Sequence, residues 1–466
     1  MTAINSEPEL ILTPSAPWEV LESEADELLQ QLFPVCRSLT GDGVRETLST
    51  LQRVTNFEVR EIPSGTECYD WTIPDEWNVT DAYVSDSSGV KLIDFQKNNV
   101  HLVGYSVPID ETMSFQELDE HLHTLPGLHD AIPYRTSYYH RDWGFCLTHE
   151  QYSRMDRNAE YKVRIDSTLE PGSLTLGDYL VEGDSGQEFL ISTYCCHPSL
   201  GNDNLSGQVL WALLLRHLKG KKTRHSYRFV IAPETIGAIA YLSQNEHVMK
   251  TLSGGFVLTT VAGPGKHGYK QTFLGDHLID RVVSRTFKEE QLDHTLYPFD
   301  INGSDERQYS SQNSRIPMGT ICKDKYFEYD YYHTSLDNLD FISAKNLVAT
   351  LKLYISAIGN LEMNGTYRSL YTYSEPMLSK RGLYPTIGGH RKQKAMGQVK
   401  DQVEKKYSAN DAETPTALDI NAMMWVMFYG DGLASLLDIS EKTGLSLKVL
   451  YGAAVKLCTN DLLEEV

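Results

Sequence analysis

Residues 189–207 read FLISTYCCHPSLGNDNLSG. The opening apolar and β-branched run fits a buried strand, and from Leu205 onward apolar residues recur at helical spacing (Leu205, Val209, Leu213, Leu214) before a stop signal at Gly220. Between strand and helix lies a loop that carries the imidazole of His197 and the carboxylate of Asp203. In an α/β sheet, ligands gather outside the carboxyl ends of the strands, so these two side chains sit where a binding or catalytic site is expected.

The same pattern repeats on either side. A predicted strand at 227–232 runs into Pro233-Glu234 and a helix over 236–242, and further strands are predicted at 256–261 and 318–321. Strands alternating with helices predict an α/β fold: a mixed, largely parallel sheet with helices on both faces. Upstream, a helical pattern from 18 to 53 breaks at Pro34 and at the glycine-containing turn 40–43. Short β-prone runs at 82–84, 91–95 and 101–107, then a polar helical piece at 114–123, suggest a β-rich insertion. The expected organisation is a catalytic domain from residues 18–60 and 185–390, an inserted domain at 61–184, a polar linker at 391–414 and a C-terminal unit at 415–466. In the last, LLDISEKTGLSLKVL reads as helix, turn at Gly444, helix, as in a winged helix.

Composition narrows the function classes. The 466 residues carry a net charge of −21, which repels phosphate backbones and anionic membranes. Residues 417–466 hold seven acidic and three basic side chains, whereas reading a DNA groove needs a positive face. Nucleic acid is therefore not an expected partner, and a docking or homo-oligomer role is expected for this unit instead. Seven scattered cysteines without a CxxC pair support neither a disulfide framework nor a cysteine–zinc module. With neither a signal-peptide core nor a run long enough to span a membrane, a cytoplasmic protein is expected.

A hydrolytic zinc site needs three protein ligands, an open position and a carboxylate that takes a proton from water. His197, Asp203 and His333, the last in YYHTSLDN, supply a ligand set, and Glu234 a base. Each has another explanation when taken singly. A loop histidine can be merely solvated, Asp203 can cap the following helix, and Glu234 can serve its helix dipole. Their shared location at strand ends is what argues for chemistry.

The phrases HPSLGNDNLSG, ETIG and HTSLD together resemble the pattern of the zinc aminopeptidase clan typified by bacterial leucyl aminopeptidases. More widely, CRSLTGDGVRETL (36–48), DWTIPDEWN (70–78), SYYHRDWGFC (137–146), GSDERQY (303–309) and KRGLYPTIGG (380–389) resemble a bacterial family whose members carry an aminopeptidase-like domain. That resemblance implies a zinc-exopeptidase-like catalytic domain, an inserted β-rich domain and a C-terminal winged helix. The chain departs from the two-zinc pattern. Thr235 stands where a second, metal-binding Glu is usual, and FVLTTVAG (256–263) has no acid. The remaining His–carboxylate–His set predicts one Zn²⁺ per chain.

The expected activity is hydrolysis of an amide bond in a small-molecule or peptide substrate; the other reading is an inactive peptidase-like scaffold that recruits a partner through its winged helix. For substrate or oxyanion contacts the candidates are Arg307, Glu306, Tyr309, Arg141, Tyr138 and Lys323. Capture of a carboxylate by Arg307 implies carboxypeptidase-like action, and capture of an amine by Glu306 or Asp305 implies aminopeptidase-like action. Thr334 or Asp337 is a candidate to orient His333 or to cap the next helix. The sequence GPGKHG (263–268) fits a dinucleotide-binding spacing but lacks a following helical pattern.

Overall fold

The computed structural model describes residues 8–371, 373–384 and 417–466, so the linker expected at 391–414 and the second half of KRGLYPTIGG lie outside the described residues. The chain forms two compact units, one ending at Gly359 and the other beginning at Asn360.

An eight-stranded sheet organises the larger unit. Its strands in chain order are β1 (Glu58–Pro63), β2 (Ser173–Val181), β3 (Glu188–Tyr194), β4 (Ser226–Ala232), β5 (Gly255–Val257), β6 (His267–Lys270), β7 (Thr295–Tyr297) and β8 (Met318–Lys323). They lie in the order β1-β2-β4-β3-β5-β8-β6-β7. The central block β4-β3-β5-β8 is parallel, whereas β2 pairs antiparallel with β1 and β4, and β6 antiparallel with β8. This is the mixed, largely parallel sheet that the sequence predicts. Strand β5 is shorter than expected: after Val257 the chain leaves the ladder and Leu258 donates its amide to the Ser192 carbonyl. Residues 263–268 run into strand β6 rather than a helix, so the dinucleotide-type spacing has no structural counterpart.

Helix α1 (Trp18–Leu32), helix α2 (Asp42–Val54) and helix α3 (Ser206–Leu218) pack together beside the sheet. Every residue of α3 except Arg216 is buried, because α1 and α2 cover the side that a surface helix would leave in water. Arg216 reaches Glu24 of α1 in an ion pair. Helix α3 starts hard against the strand ends. A Cβ on Gly207 would lie 2.2 Å from the Asn204 side-chain oxygen and 2.4 Å from the Leu258 carbonyl, so only glycine fits.

The insertion is narrower than 61–184. Strand β2 pairs with both β1 and β4 and belongs to the main sheet. A four-stranded antiparallel sheet of Lys91–Asp94, Glu76–Ser85, Glu160–Glu170 and Ile109–Ser114 forms the insertion's frame. Trp77, Ala82, Val84, Val163 and Ile165 form part of its core. Residues 101–107, read as a strand, instead follow a short 3-10 turn and lie largely outside any ladder, and the helical piece expected at 114–123 is limited to Phe115–Asp119.

In the second unit, Thr366–Ser369 pairs antiparallel with Asp431–Ser435 and Leu463–Glu465. The sequence placed that first strand in the catalytic domain; its four residues carry no periodicity that assigns them, and only the pairing does. Helices Ala417–Phe428, Leu436–Thr443 and Leu447–Thr459 complete a winged helix. Ser435 and Asp438 form a capping box, and Gly444 closes the same helix at φ +77°, a conformation that favours glycine. Among the described residues no helix is long and apolar enough to cross a membrane.

Candidate metal centre

Register brings the site together. Strands β3 and β4 run parallel with Tyr194 opposite Ala232, so their carboxyl ends are level. His197 lies three residues beyond one end and Glu234 two beyond the other, which leaves His197 Nε2 4.0 Å from Glu234 Oε2. Asp203 comes back from the same loop with its Oδ2 3.9 Å from His197 Nε2, and His333 Nε2 approaches that oxygen to 3.0 Å. Ligand atoms of His197, Asp203 and His333 all lie within 4.8 Å of one another.

The loop is held from several directions. Asn202 accepts the amides of Ala262 and Gly263 and donates to the Lys323 carbonyl, and Asn204 donates to Thr193 Oγ1 at 3.0 Å. Between them, the Asp203–Asn204 peptide is cis. Asp337 receives the amides of Asn202 and Asp203 at 2.6 and 3.0 Å and the hydroxyl of Tyr329 at 2.9 Å. Its carboxylate therefore fixes the Asp203 loop and neither orients the His333 ring nor caps a helix. Thr334 bonds locally to the Tyr331 carbonyl.

His333 itself has φ +55° and is held through its backbone: its carbonyl accepts the Tyr134 amide at 2.8 Å, and Pro133 bridges Thr334. The insertion thus supplies the segment that fixes His333. Tyr134 also sets its ring against both imidazoles, 5.1 Å from His197 and 5.2 Å from His333. Tyr332 stacks on His333 at 3.9 Å.

Arg37 anchors the His197 segment through its backbone. Its buried guanidinium donates to the carbonyls of Leu32, His197 and Pro198 at 2.7, 2.9 and 3.0 Å. Arg37→Met is expected to leave three buried carbonyls without these donors and to cost about 2–4 kcal/mol. Denaturant midpoints should report that loss. In the same variant the His197 loop also loses its backbone tether.

Glu234 is positioned by the 303–309 segment. Ser304 donates to Glu234 Oε1 at 2.8 Å, and Asp305 accepts the Thr235 amide at 2.7 Å. Thr235 has φ +64°, an uncommon value for a β-branched residue and one met at sites where surrounding structure enforces it.

Charge states in the site suit a cation. Burial pushes His197 down to about 4, so its imidazole is neutral and available at physiological pH. Burial alone would raise Asp203, but His197, His333 and the Tyr194 hydroxyl hold it down to about 2. Burial and the nearby Asp203 charge push Glu234 up to about 7, against the Ser304 hydrogen bond. Two imidazole nitrogens facing an ionised carboxylate oxygen are a donor set of the kind that takes zinc.

Of the other candidates, Tyr138 lies close enough to the centre that Cys196, Glu234 and Asp203 raise its phenol after burial does, and it is 47% exposed. Arg307 is half-buried next to Asp305. Glu306 and Tyr309 are engaged in the interior. Glu306 is paired with Lys270 and Tyr326 in the interior, and Tyr309 is fully buried with its hydroxyl 2.9 Å from Ser192. Lys323 is buried on β8 opposite His267, and Arg141 is exposed, 3.9 Å from Asp75. Sequence reasoning did not single out Arg37, Tyr134, Tyr332 or Ser304. Arg37, Tyr332 and Ser304 fall inside the quoted motifs, but nothing in their spacing tells a structural role from a catalytic one.

Against known proteins, residues 26–364 match the family described as "Domain of unknown function (DUF4910)". The chain belongs to this family. A winged helix-turn-helix family matches residues 407–465. A relative of this DUF4910 chain in Clostridium acetobutylicum is 42% identical over 95% of this chain and 96% of its own length. It is provisionally named a polysaccharide biosynthesis protein with aminopeptidase-like domain. A crystal structure of a provisionally named peptidase from Clostridium acetobutylicum is 40% identical, covers 96% of this chain and 97% of its own, and superposes with a TM-score of 0.85. A zinc aminopeptidase from Bacillus subtilis shares the fold of the larger unit at 14% identity, covering 72% of this chain and 94% of its own with a TM-score of 0.51. The DUF4910 unit therefore has an aminopeptidase-like fold.

Proposed function

We propose that this chain is a zinc-dependent hydrolase of an amide bond, with one zinc held by His197, Asp203 and His333 and with Glu234 as general base. The observation that carries the proposal is the convergence of two imidazoles and an ionised carboxylate next to a carboxyl raised to about 7. When bound, zinc supplies an acidified water and polarises the scissile carbonyl.

Glu234 takes the proton from the attacking water and delivers it to the leaving nitrogen, and an affinity for protons near neutrality lets it do both. Ser304 keeps that carboxylate aimed by holding Oε1 and leaving Oε2 toward His197.

Glu306 and Asp305 are buried and already bonded, which argues against amine capture of the aminopeptidase type. Together with the relative's name, this favours a deacylase of a peptide-like or amino-sugar metabolite. Seven unpaired cysteines support a reducing, cytoplasmic setting. The acidic balance of the C-terminal unit supports contact with protein rather than nucleic acid.

Metal analysis of the purified protein is expected to give one tightly held zinc per chain. Turnover is expected on a panel of acyl-amino acids and N-acyl amino sugars. Two zincs per chain would overturn the mononuclear assignment. Stoichiometric zinc without turnover on any panel member would favour a binding scaffold.

A further inference from the structure

Cys196 stands between the first metal ligand and the base and touches both. Its sulfur is 3.4 Å from Nδ1 of His197 and accepts the backbone N–H of Glu234 at 3.3 Å. The side chain is buried, and a ligand atom from each of Cys196, His197 and Glu234 falls within 4.8 Å of the other two.

These contacts have a chemical consequence. His197 turns Nε2 toward Asp203 and Glu234, so Nδ1 is the nitrogen left to carry the proton of a neutral ring that binds metal through Nε2. A metal-binding histidine usually donates that proton to a carboxylate, carbonyl or water, which fixes tautomer and ring orientation. Here the atom at Nδ1 is a sulfur.

We propose that Cys196 is a positioning residue that selects the Nδ1–H tautomer of His197 and, through the Glu234 amide, ties the metal ligand to the general base. The assignment rests on the metal centre proposed above. It gives the Cys195–Cys196–His197 sequence a role beyond packing: the strand end that delivers the ligand also delivers its hydrogen-bond acceptor.

The test measures zinc affinity by chelator competition on the full-length protein, with the parent compared with Cys196→Ala and Cys196→Ser. Loss of the acceptor in Cys196→Ala should weaken zinc binding by about 10-fold or more, the usual effect of removing such a partner. Cys196→Ser restores an acceptor and should stay within a few-fold of the parent. If the alanine variant does not fold, Cys196→Val replaces it, filling the space without an acceptor.

Cobalt-substituted parent protein should show no sulfur-to-cobalt charge-transfer absorption. Such a band, lost in Cys196→Ser, would make the thiol a direct ligand and overturn the positioning role. Equal zinc affinity in the parent and Cys196→Ala would overturn this assignment alone. A parent that takes up no zinc would overturn the metal centre itself.

Discussion

Asp203→Asn is expected to abolish tight zinc binding, taking the metal content from one per chain to none and lowering affinity by at least about 10³-fold. Asp203 is the only anion in the set, its carboxyl is held down to about 2, and both imidazoles are directed at its Oδ2. A neutral amide supplies neither the charge nor a second equivalent oxygen. Two measurements check this. Elemental analysis should find zinc in the parent only, and added zinc should raise the unfolding midpoint of the metal-free parent but leave Asp203→Asn where it was, because only a state that binds the ligand is stabilised by it. An Asp203→Asn protein that binds zinc as the parent does would reject the ligand set.

Glu234→Gln is expected to separate binding from chemistry. The variant should hold its zinc, since the three ligands are untouched, and lose about 10²–10⁴-fold in turnover with its proton acceptor. It should also gain stability, in a defined pH window. The folded-state carboxyl is pushed from its ordinary 4.5 up to about 7 by burial and by Asp203. A raised carboxyl stabilises the fold fully below its unfolded value, and that contribution is lost as pH rises through about 7. At pH 8 the metal-free parent therefore carries a buried negative charge that glutamine does not. The variant should be more stable there by about 1–3 kcal/mol, with the difference closing toward pH 5. His197, whose lowered value removes stability as pH falls from 6.5 toward about 4, is common to both proteins and cancels in the comparison. Denaturant titrations of metal-free parent and variant at pH 5 and pH 8 read the difference directly, and a variant no more stable than the parent at pH 8 would contradict the buried-charge account.

The two variants probe different links of one chain of causes. Asp203 depends on a loop fixed by Asp337, Asn202 and Asn204, whereas Glu234 depends on Ser304 and on the strained backbone at Thr235. Both loops start from strand ends that the parallel pairing of β3 and β4 sets level. Sheet register is thus what turns scattered sequence positions into a site.

The sequence by itself determined the strand–loop–helix units around His197 and Glu234 and the winged-helix pattern, and it offered the four residues that the fold brings together. These are local properties: apolar periodicity reports which face of an element is buried, and donor chemistry is written in the residue type. Tertiary structure decided what those residues touch. Nothing near Arg37 in sequence reveals that it bonds to the His197 carbonyl, and nothing near Tyr134 reveals that it holds the His333 backbone. Spacing likewise could not say that Glu306 and Tyr309 turn inward while Glu234 faces the imidazoles, nor that β2 joins the main sheet and Thr366–Ser369 the winged unit. Burial, partner and strand pairing arise from contacts between distant segments, so they are settled only when the chain has folded.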